Sequence, residues 1–159
     1  MIDWIDGDLF ADPADALVNP VNCVGVMGRG LALEFRRASP AMERAYADAC
    51  RRGRVQPGRM FVFETGLLVP PRLVVNFPTK RHWRDLARIE DIALGLEALV
   101  QEIEGRAIRS IAVPALGAGL GGLSWDIVRP RIEDTLGRLD AVRVRVYLPR
   151  AGPTSSRGP

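Results

Sequence analysis

Lysine, histidine and cysteine are scarce in this chain, although it carries many positive charges. Of its 22 lysine and arginine residues, only Lys80 is a lysine and 21 are arginines. His82 is the single histidine, and neither cysteine, Cys23 or Cys50, belongs to a Cys-x-x-Cys pair. A structural zinc site therefore lacks ligands, and we expect no metal and no cofactor. Two free thiols are typical of proteins from a reducing cytosol.

Long hydrophobic segments are also missing. The first ten residues, MIDWIDGDLF, are acidic and lack the apolar core of a signal peptide. No apolar stretch approaches the length of a membrane span. With 47% hydrophobic and 26% charged residues, the composition is that of a globular protein. We therefore expect one cytoplasmic, monomeric domain with no membrane partner, whose net charge of +3 permits an anionic ligand.

Apolar periodicity predicts an alternation of strands and helices. The strands are expected near 2–5, 14–19, 59–64, 72–77, 109–113 and 142–148, and the helices near 29–38, 40–52, 86–104 and 124–138. Leu86 begins the apolar series of the third helix, while Ser124 is the expected N-cap and Ile127 the first apolar residue of the fourth. This order predicts an α/β three-layer sandwich.

Two further features complete the predicted organisation. The segments 59–64 and 72–77 are joined by a Gly/Pro turn and are expected to form an antiparallel hairpin, which makes the central sheet mixed. Residues 1–149 are expected to form the domain. The stretch 150–159 has linker composition and is interpreted as a disordered tail or the start of a linker.

Lys80 lies where an α/β protein tends to keep its chemistry. It follows the apolar run 73–79, which is typical of a buried strand. Arginine stays protonated, whereas a desolvated lysine can lose its proton and attack a carbon centre. A chain that uses arginine elsewhere therefore has a chemical reason to keep lysine here. A GC-biased genome that left one lysine by chance is the alternative.

Two glycine-rich loops, 19–32 and 114–123, each lie between a predicted strand and a predicted helix. Glycine lets the backbone approach a ligand, and N–H groups at a helix N-terminus bind phosphate. The first loop could also be an ordinary strand-to-helix turn. Gly117, Gly119 and Gly122 match the G-x-G-x-x-G fingerprint, but only 37 residues follow Gly122, too few for a dinucleotide-binding fold. Two such loops suggest a diphosphate held between them.

Three other side chains are candidates for ligand contacts. Asp8, in a Gly-Asp pair after the first strand, could accept a base amino group or simply close a turn. Cys23 is interpreted as a packed side chain rather than a nucleophile, since no histidine is near it in sequence. Trp83 could stack on a base or be a half-buried loop aromatic.

Taken together, these segments resemble the macrodomain family, an ADP-ribose-binding α/β/α module. Gly7-Asp8-Leu9-Phe10 is similar to its opening motif, 16–22 to its second strand and asparagine-bearing turn, and 28–32 and 114–120 to its two phosphate loops. The resemblance covers roughly residues 1–148. It implies the macrodomain fold and a pocket for ADP-ribose.

Within that family, the chain resembles the branch of the terminal ADP-ribose protein glycohydrolase and the DarG-like antitoxins. Thr79-Lys80 matches the catalytic pair of that branch, while Gly121 stands where the protein-acting enzyme has an aspartate. The stretch 77–84 is more similar to the DarG-like proteins. The resemblance implies removal of ADP-ribose from thymidine in single-stranded DNA, which reverses a DarT-like toxin. Those antitoxins also have a C-terminal toxin-binding region, so this chain would be the macrodomain alone.

The resemblance also implies roles for individual residues. Lys80 and Asn22 would be catalytic, with Asn22 orienting the distal ribose. Residues that would bind ADP-ribose are Asp8, Leu9, Val21, Asn22, Gly30, Leu31, Ala32, Leu33, Thr79, Gly117, Ala118, Gly119, Leu120 and Gly121. Residues that could contact DNA are Arg81, His82, Trp83 and Arg84. The expected partners are ADP-ribosylated DNA, the product ADP-ribose and a DarT-like toxin.

Several alternatives remain open at this point. Lys80 could attack the anomeric carbon as an amine or stabilise the departing thymine as an ammonium ion, and only the first requires a lowered pKa. The chain could be an ADP-ribose reader without turnover, because fold alone does not decide activity. It could also hydrolyse ADP-ribose linked to Glu or Asp of proteins, or act on acylated ADP-ribose.

Overall fold

Six strands form one mixed sheet with helices on both faces. The computed structural model describes residues 1–150. The strands are β1 (Ile2–Ile5), β2 (Ala16–Val21), β3 (Phe61–Glu64), β4 (Leu73–Pro78), β5 (Ser110–Val113) and β6 (Arg143–Tyr147). The helices are α1 (Gly30–Ala38), α2 (Pro40–Arg51), α3 (Ile89–Gly105) and α4 (Trp125–Leu136), with short 3-10 turns at Leu9–Ala11 and Gly119–Gly121.

The strand order is β1-β6-β5-β2-β4-β3, with β3 antiparallel to β4 and the other pairs parallel. The predicted α/β/α sandwich, the mixed sheet and the antiparallel hairpin are thereby confirmed.

Alternate residues of the central strand β2 face two separate cores, as the two-residue period of a strand requires. Ala16 and Val18 pack with residues of α3 and α4, while Leu17 and Val21 pack with residues of α1 and α2. Close packing on the first face depends on Gly95 of α3, because a Cβ there would overlap the ring of Phe77. The sheet is therefore buried on both sides, which explains its apolar strands.

Element boundaries differ from the prediction by a few residues. Helix α3 begins at Ile89 and not near 86, and Leu86 is 70% exposed. The reason is a hydrogen bond from Ala87 N–H to Gly121 O at 2.9 Å, which ties this segment to the loop after β5. Strand β2 runs two residues further than expected, through Pro20. Proline is tolerated there because β2 pairs with β5 only at Ala16 and Leu17.

Helix α4 also departs from two expectations. Ile127 is 52% exposed, whereas Val128, Ile132 and Leu136 are buried, so the buried stripe begins one residue later. Ser124 occupies the N-cap position but its side chain makes no capping hydrogen bond. The two 3-10 turns were not predicted, because three residues are too few to produce a periodic pattern.

No helix within residues 1–150 is long and apolar enough to span a membrane. The predicted tail at 150–159 lies, from residue 151 onward, outside the described residues.

Candidate active site

A cleft opens where the chain leaves adjacent strands in opposite directions. After β2 the chain passes to α1 on one face of the sheet, and after β5 it passes to α4 on the other. Loops that diverge in this way leave a crevice at the carboxyl ends of parallel strands. The cleft has a volume of about 990 Å³, and residues that follow β1, β2, β4, β5 and β6 line it. This is the size range of small-molecule sites.

The first glycine-rich loop is held in shape by Asn22. Its Oδ1 accepts hydrogen bonds from Val24 N–H at 3.0 Å and Val26 N–H at 3.3 Å, and its Nδ2 donates to Val26 O at 2.8 Å. The Tyr46 hydroxyl lies 2.9 Å from the same Oδ1. Asn22 lines the cleft but is only 7% exposed. Because its Nδ2 carries two hydrogens and donates one to Val26 O, one hydrogen remains for a ligand. The main contacts of Asn22 therefore stabilise the shape of the loop.

The second glycine-rich loop depends on left-handed backbone. Gly117 and Gly119 have φ of 75° and 67°. A Cβ at Gly117 would lie 2.8 Å from Leu123, whereas a Cβ at Gly119 would meet no atom within 4 Å. Gly119 therefore presents its backbone to open space in the cleft. The two loops meet where a Cβ at Gly30 would lie 3.1 Å from Leu120.

Lys80 stands at the carboxyl end of β4, on a segment fixed by the last residue of β2 and by the loop that follows it. Thr79 N–H donates to Val21 O at 2.8 Å, and Cys23 N–H donates to Arg81 O at 3.2 Å. The Cys23 thiol lies 3.5 Å from Lys80 O. Burial raises the pKa of Cys23 to about 11, with Cys50 and Asp91 acting in the same direction. These contacts support a packed role for Cys23 rather than a nucleophilic one.

The Lys80 side chain is half-buried and lines the cleft. Among residues 1–150, no carboxylate lies within 4.0 Å of its amine. Burial lowers its pKa, the positive charge of Arg29 lowers it further, and Asp85 opposes the shift. Free amine is therefore more abundant here than at an exposed lysine.

The residues after Lys80 fall into two groups: Arg81 is paired within the protein, whereas Trp83 is exposed at the cleft. The guanidinium of Arg81 binds both oxygens of the buried Asp91 carboxylate, at 3.1 and 3.2 Å. This pairing argues against the predicted DNA contact of Arg81 and gives it a structural role at the start of α3. Trp83 lines the cleft and is 41% exposed, and Arg84 lies over its ring at 4.6 Å from the centroid. His82 Nδ1 accepts a hydrogen bond from Arg84 N–H at 3.1 Å.

The opposite end of the cleft lies near the 3-10 turn that follows β1. Asp8 caps this turn, because its Oδ1 accepts a hydrogen bond from Phe10 N–H at 3.0 Å. Tyr147, at the end of β6, forms the wall of the cleft beside this turn. Its hydroxyl donates to Asp12 Oδ2, which also accepts from Arg145 Nε at 2.7 Å. Asp12 is buried, so this network fixes Tyr147 against the turn.

The cleft brings together most of the predicted site residues. Those that line it are Leu9, Val21, Asn22, Gly30, Leu31, Ala32, Thr79, Lys80, Trp83, Gly117, Ala118, Gly119, Leu120 and Gly121. Five predicted residues do not line it, namely Asp8, Leu33, Arg81, His82 and Arg84. The binding and catalytic roles of all these residues stay predictions.

Several lining residues were missed from the sequence, among them Arg29, Glu34 and Tyr147. Arg29 was inside the first loop, and its basic charge next to Gly30 was the available signal. Glu34 looks like an ordinary charged residue on an amphipathic helix, and Tyr147 like a strand aromatic. Their position depends on which strands and helices meet at the cleft, which no local pattern encodes.

Residues 18–132 match the sequence profile described as Macro domain. The chain belongs to the macrodomain family. It is 50% identical over 153 residues to the DNA ADP-ribosyl glycohydrolase of Thermus aquaticus, an alignment covering 96% of this chain and 42% of the relative. The chain therefore spans less than half the length of that curated relative.

Solved macrodomain structures have the same architecture. The macrodomain of Thermus aquaticus DarG superposes with a TM-score of 0.90 at 51% identity, covering 94% of this chain and 99% of that one. The structure of Thermosipho africanus DarTG in complex with ADP-ribose superposes with a TM-score of 0.86 at 35% identity, covering 94% of this chain and 42% of that one. The predicted macrodomain fold and the resemblance to DarG-like proteins are confirmed.

Proposed function

We propose that this macrodomain removes ADP-ribose from thymidine bases in single-stranded DNA. The observation that carries the proposal is the setting of Lys80. This half-buried lysine lines the cleft and has no carboxylate partner among the described residues. It is also the one lysine in a chain with 21 arginines. The relative from Thermus aquaticus, at 50% identity, is named a DNA ADP-ribosyl glycohydrolase. A related structure contains ADP-ribose. Residue chemistry and relatives support the same reaction.

The two glycine loops would hold the diphosphate. Gly119 offers backbone to open space, and the N-terminus of α1 at Gly30 offers N–H groups that no helical carbonyl satisfies. The loops approach each other at Gly30 and Leu120, so one ligand can contact both. The diphosphate would then lie between an adenosine end, near Leu9 and Tyr147, and a distal ribose end, near Asn22 and Lys80.

Lys80 would act on the anomeric carbon of the distal ribose. As an amine, its Nζ attacks that carbon while the bond to the thymine nitrogen breaks. The thymine nitrogen takes the electron pair and the proton that the attacking amine gives up. Water then attacks the same carbon as the bond to Nζ breaks. The water oxygen stays on the carbon as a hydroxyl, one water proton passes to Nζ, and ADP-ribose leaves with the amine restored. The lowered pKa of Lys80 supports this route over one that uses the ammonium ion.

Trp83 and Arg84 would recognise the nucleic acid beside the modified base. Trp83 is exposed and lines the cleft, so its indole would be available to stack on a base that flanks the bound ribose. Arg84 lies over the indole ring and has no carboxylate partner among residues 1–150, so it would be available to a phosphate, in contrast to Arg81, which is bound to Asp91. Gly121 supplies no carboxylate where the protein-acting enzymes of the branch have aspartate, so a protein substrate is disfavoured.

The biological setting follows from the same resemblance. A DarT-like transferase would supply the modified DNA, and this chain would reverse its action as an antitoxin. DNA as substrate and free Cys23 and Cys50 fit an activity in the cytoplasm. We further propose that residues 1–149 form the catalytic unit as a monomer.

The test is incubation with ADP-ribosylated single-stranded DNA and, separately, with a protein carrying ADP-ribose on glutamate. We expect release of ADP-ribose from the DNA and little from the protein. Binding of free ADP-ribose without release from either substrate would contradict hydrolysis and identify a reader. Faster release from the protein would contradict the DNA substrate.

A further inference from the structure

An exposed basic surface lies at the end of α2 and in the connection to β3. It consists of four arginines and is called the arginine surface here: Arg51, Arg52, Arg54 and Arg59. No acidic residue lies between Asp48 and Glu64 in the sequence, so this segment contains no charge of the opposite sign. The whole chain has a net charge of only +3, so these four charges exceed the net positive charge of the protein.

Most of the charge on the arginine surface is not neutralised within the protein. Arg51 and Arg52 share one carboxylate, that of Asp48, at 3.4 and 3.0 Å. Arg54 and Arg59 have no carboxylate within 4.0 Å among residues 1–150. None of these four described residues lines the cleft. Exposed arginines spread in this way suit an extended polyanion better than a small anion.

The backbone holds these arginines in fixed positions. Helix α2 ends in a Schellman motif, in which Arg54 N–H donates to Ala49 O at 2.9 Å and Gly53 N–H donates to Cys50 O at 3.0 Å. Gly53 provides the left-handed residue of this motif, with a φ of 70°. Arg59 N–H closes the next turn with a hydrogen bond of 2.8 Å. A backbone that is already ordered lowers the entropic cost of binding a partner.

The end of α2 packs against the first glycine-rich loop. A Cβ at Gly25 of that loop would lie 3.3 Å from Ala47 Cα and 3.7 Å from Cys50 Cβ. Two residues earlier in the same loop, the Cys23 thiol lies 3.5 Å from Lys80 O. The end of α2, this loop and the Lys80 segment therefore lie side by side.

Helix α3 links the other end of the arginine surface to the same place. The side chain of Arg81 binds Asp91 in the first turn of α3. Leu94 follows Asp91 by three residues, and a Cβ at Gly58 would lie 3.3 Å from Leu94 Cβ. Because Arg59 follows Gly58, its segment and the Arg81–Asp91 pair adjoin α3 one turn apart, about 5 Å along the helix. Both ends of the arginine surface thus border the segment that follows β4.

We propose that the arginine surface binds the sugar–phosphate backbone of single-stranded DNA where the strand runs on from the modified thymidine. The inference rests on the proposed function, because it takes the modified base to lie at Lys80. Trp83 and Arg84 would contact the nucleotide beside that base, and the arginine surface would contact phosphates farther along the strand. Arginine binds phosphate strongly but carries no sequence information there, so affinity should increase with strand length and not depend on sequence.

Release of ADP-ribose from two substrates tests the proposal: an ADP-ribosylated thymidine mononucleotide, and a single-stranded oligonucleotide of mixed sequence with the modified thymidine at its centre. The unsubstituted protein should reach its half-maximal rate at a lower concentration of the oligonucleotide. Arg54→Gln/Arg59→Gln should raise that concentration about tenfold for the oligonucleotide and leave it unchanged for the mononucleotide. The plot of log affinity against log salt should become shallower by about 1.4, that is, about 0.7 for each lost phosphate contact.

Arg109→Gln/Arg131→Gln is the matched control, because it removes the same charge from two other exposed arginines. Arg109 precedes β5, at the end of the sheet opposite the cleft, and Arg131 lies in α4, on the sheet face opposite α2. The control should match the unsubstituted protein. Equal losses in the two double variants, or an equal loss for both substrates in Arg54→Gln/Arg59→Gln, would overturn the proposal.

Fluorescence anisotropy of an unmodified single-stranded oligonucleotide gives a readout that does not depend on turnover. Arg54→Gln/Arg59→Gln should bind it about tenfold more weakly than the unsubstituted protein. Polyglutamate should compete less well than unmodified DNA, because it has no bases for Trp83, and equal competition would identify an acidic protein surface as the partner and overturn the proposal.

The failure of this inference differs from the failure of the proposed function. If the mononucleotide is hydrolysed but strand length has no effect, only the binding of DNA by the arginine surface is excluded. If neither substrate is hydrolysed, the proposed function fails, and the anisotropy titration still decides whether the arginine surface binds single-stranded DNA.

Discussion

The position and the charge of the Lys80 side chain are set by several features of the fold. Strand β4 delivers it to the cleft, backbone bonds from the Cys23 loop fix the segment around it, and no carboxylate among the described residues neutralises it. Its uniqueness was visible in the sequence. Its half-buried setting and the nearby Arg29, which together lower its pKa, were not, because Arg29 precedes it by about fifty residues.

Lys80→Ala should abolish turnover and leave the affinity for ADP-ribose within a few-fold. Loss of an attacking amine should slow release from DNA by about a thousandfold. Lys80→Arg is the matched variant, because it keeps the positive charge but cannot attack. Single-turnover release together with calorimetry separates the two effects. Near-normal release by Lys80→Ala would remove Lys80 from the mechanism, and near-normal release by Lys80→Arg would favour the ammonium role.

The rate of release should rise with pH and level off at a pH below the ordinary pKa of lysine. The sign follows from the amine mechanism, since the reactive form is deprotonated and its pKa is lowered by burial and by Arg29. Removing the like charge with Arg29→Leu should move the rising limb to higher pH, and Asp85→Asn should move it to lower pH. The pH profile of single-turnover release at saturating substrate measures both shifts. A rate that falls across this range contradicts the amine mechanism.

Among the elements, each main strand and helix was predicted, because buried strands and amphipathic helices leave clear apolar patterns. The errors have local causes. The second strand was expected to end at residue 19, yet β2 continues to Val21, because Pro20 is tolerated where β2 no longer pairs with β5. Leu86 extended the apolar period of α3, yet the bond from Ala87 to Gly121 holds that segment out of the helix. Tertiary contacts, not propensity, set these boundaries.

Gly119→Glu should block ADP-ribose binding while the fold survives. A side chain at Gly119 would meet no protein atom within 4 Å and would therefore project into the proposed diphosphate path, where a carboxylate also repels phosphate. Its φ of 67° adds local strain for any side chain. Gly119→Ala is the smaller control for that strain and should lose less affinity. Calorimetry and thermal unfolding of both variants give the answer, and normal binding by soluble Gly119→Glu would exclude this loop as the phosphate site.

At the scale of the whole molecule, the sheet topology explains why distant motifs form one cleft. Segments 7–9, 20–34, 79–83 and 114–121 are far apart in sequence but follow strands whose carboxyl ends lie side by side. The sequence motifs predicted which loops contribute residues to the cleft. The strand order, which brings Glu34 and Tyr147 into the same cleft, became visible only in the fold.

If residues at one rim of the cleft bind DNA, the release of ADP-ribose from DNA should depend on the salt concentration. Trp83→Ala should weaken binding of ADP-ribosylated DNA more than binding of free ADP-ribose, because only DNA places a base on the indole.

Release from DNA at subsaturating substrate should slow as salt rises, and Arg84→Gln should make that dependence shallower by about one counterion. Kinetics over a salt series, with Leu94→Gln at an exposed position of α3 as a control, provides the measurement. Equal loss for both ligands in Trp83→Ala counts against the DNA interface.

The most direct test of the proposed hydrolysis of ADP-ribosylated DNA is a competition between substrates in one reaction. ADP-ribosylated single-stranded DNA and glutamate-ADP-ribosylated protein are mixed with the macrodomain, and mass spectrometry follows both over time. We expect the DNA to return to its unmodified mass with release of ADP-ribose while the protein stays modified. Loss of ADP-ribose from the protein first, or from neither substrate, would contradict it.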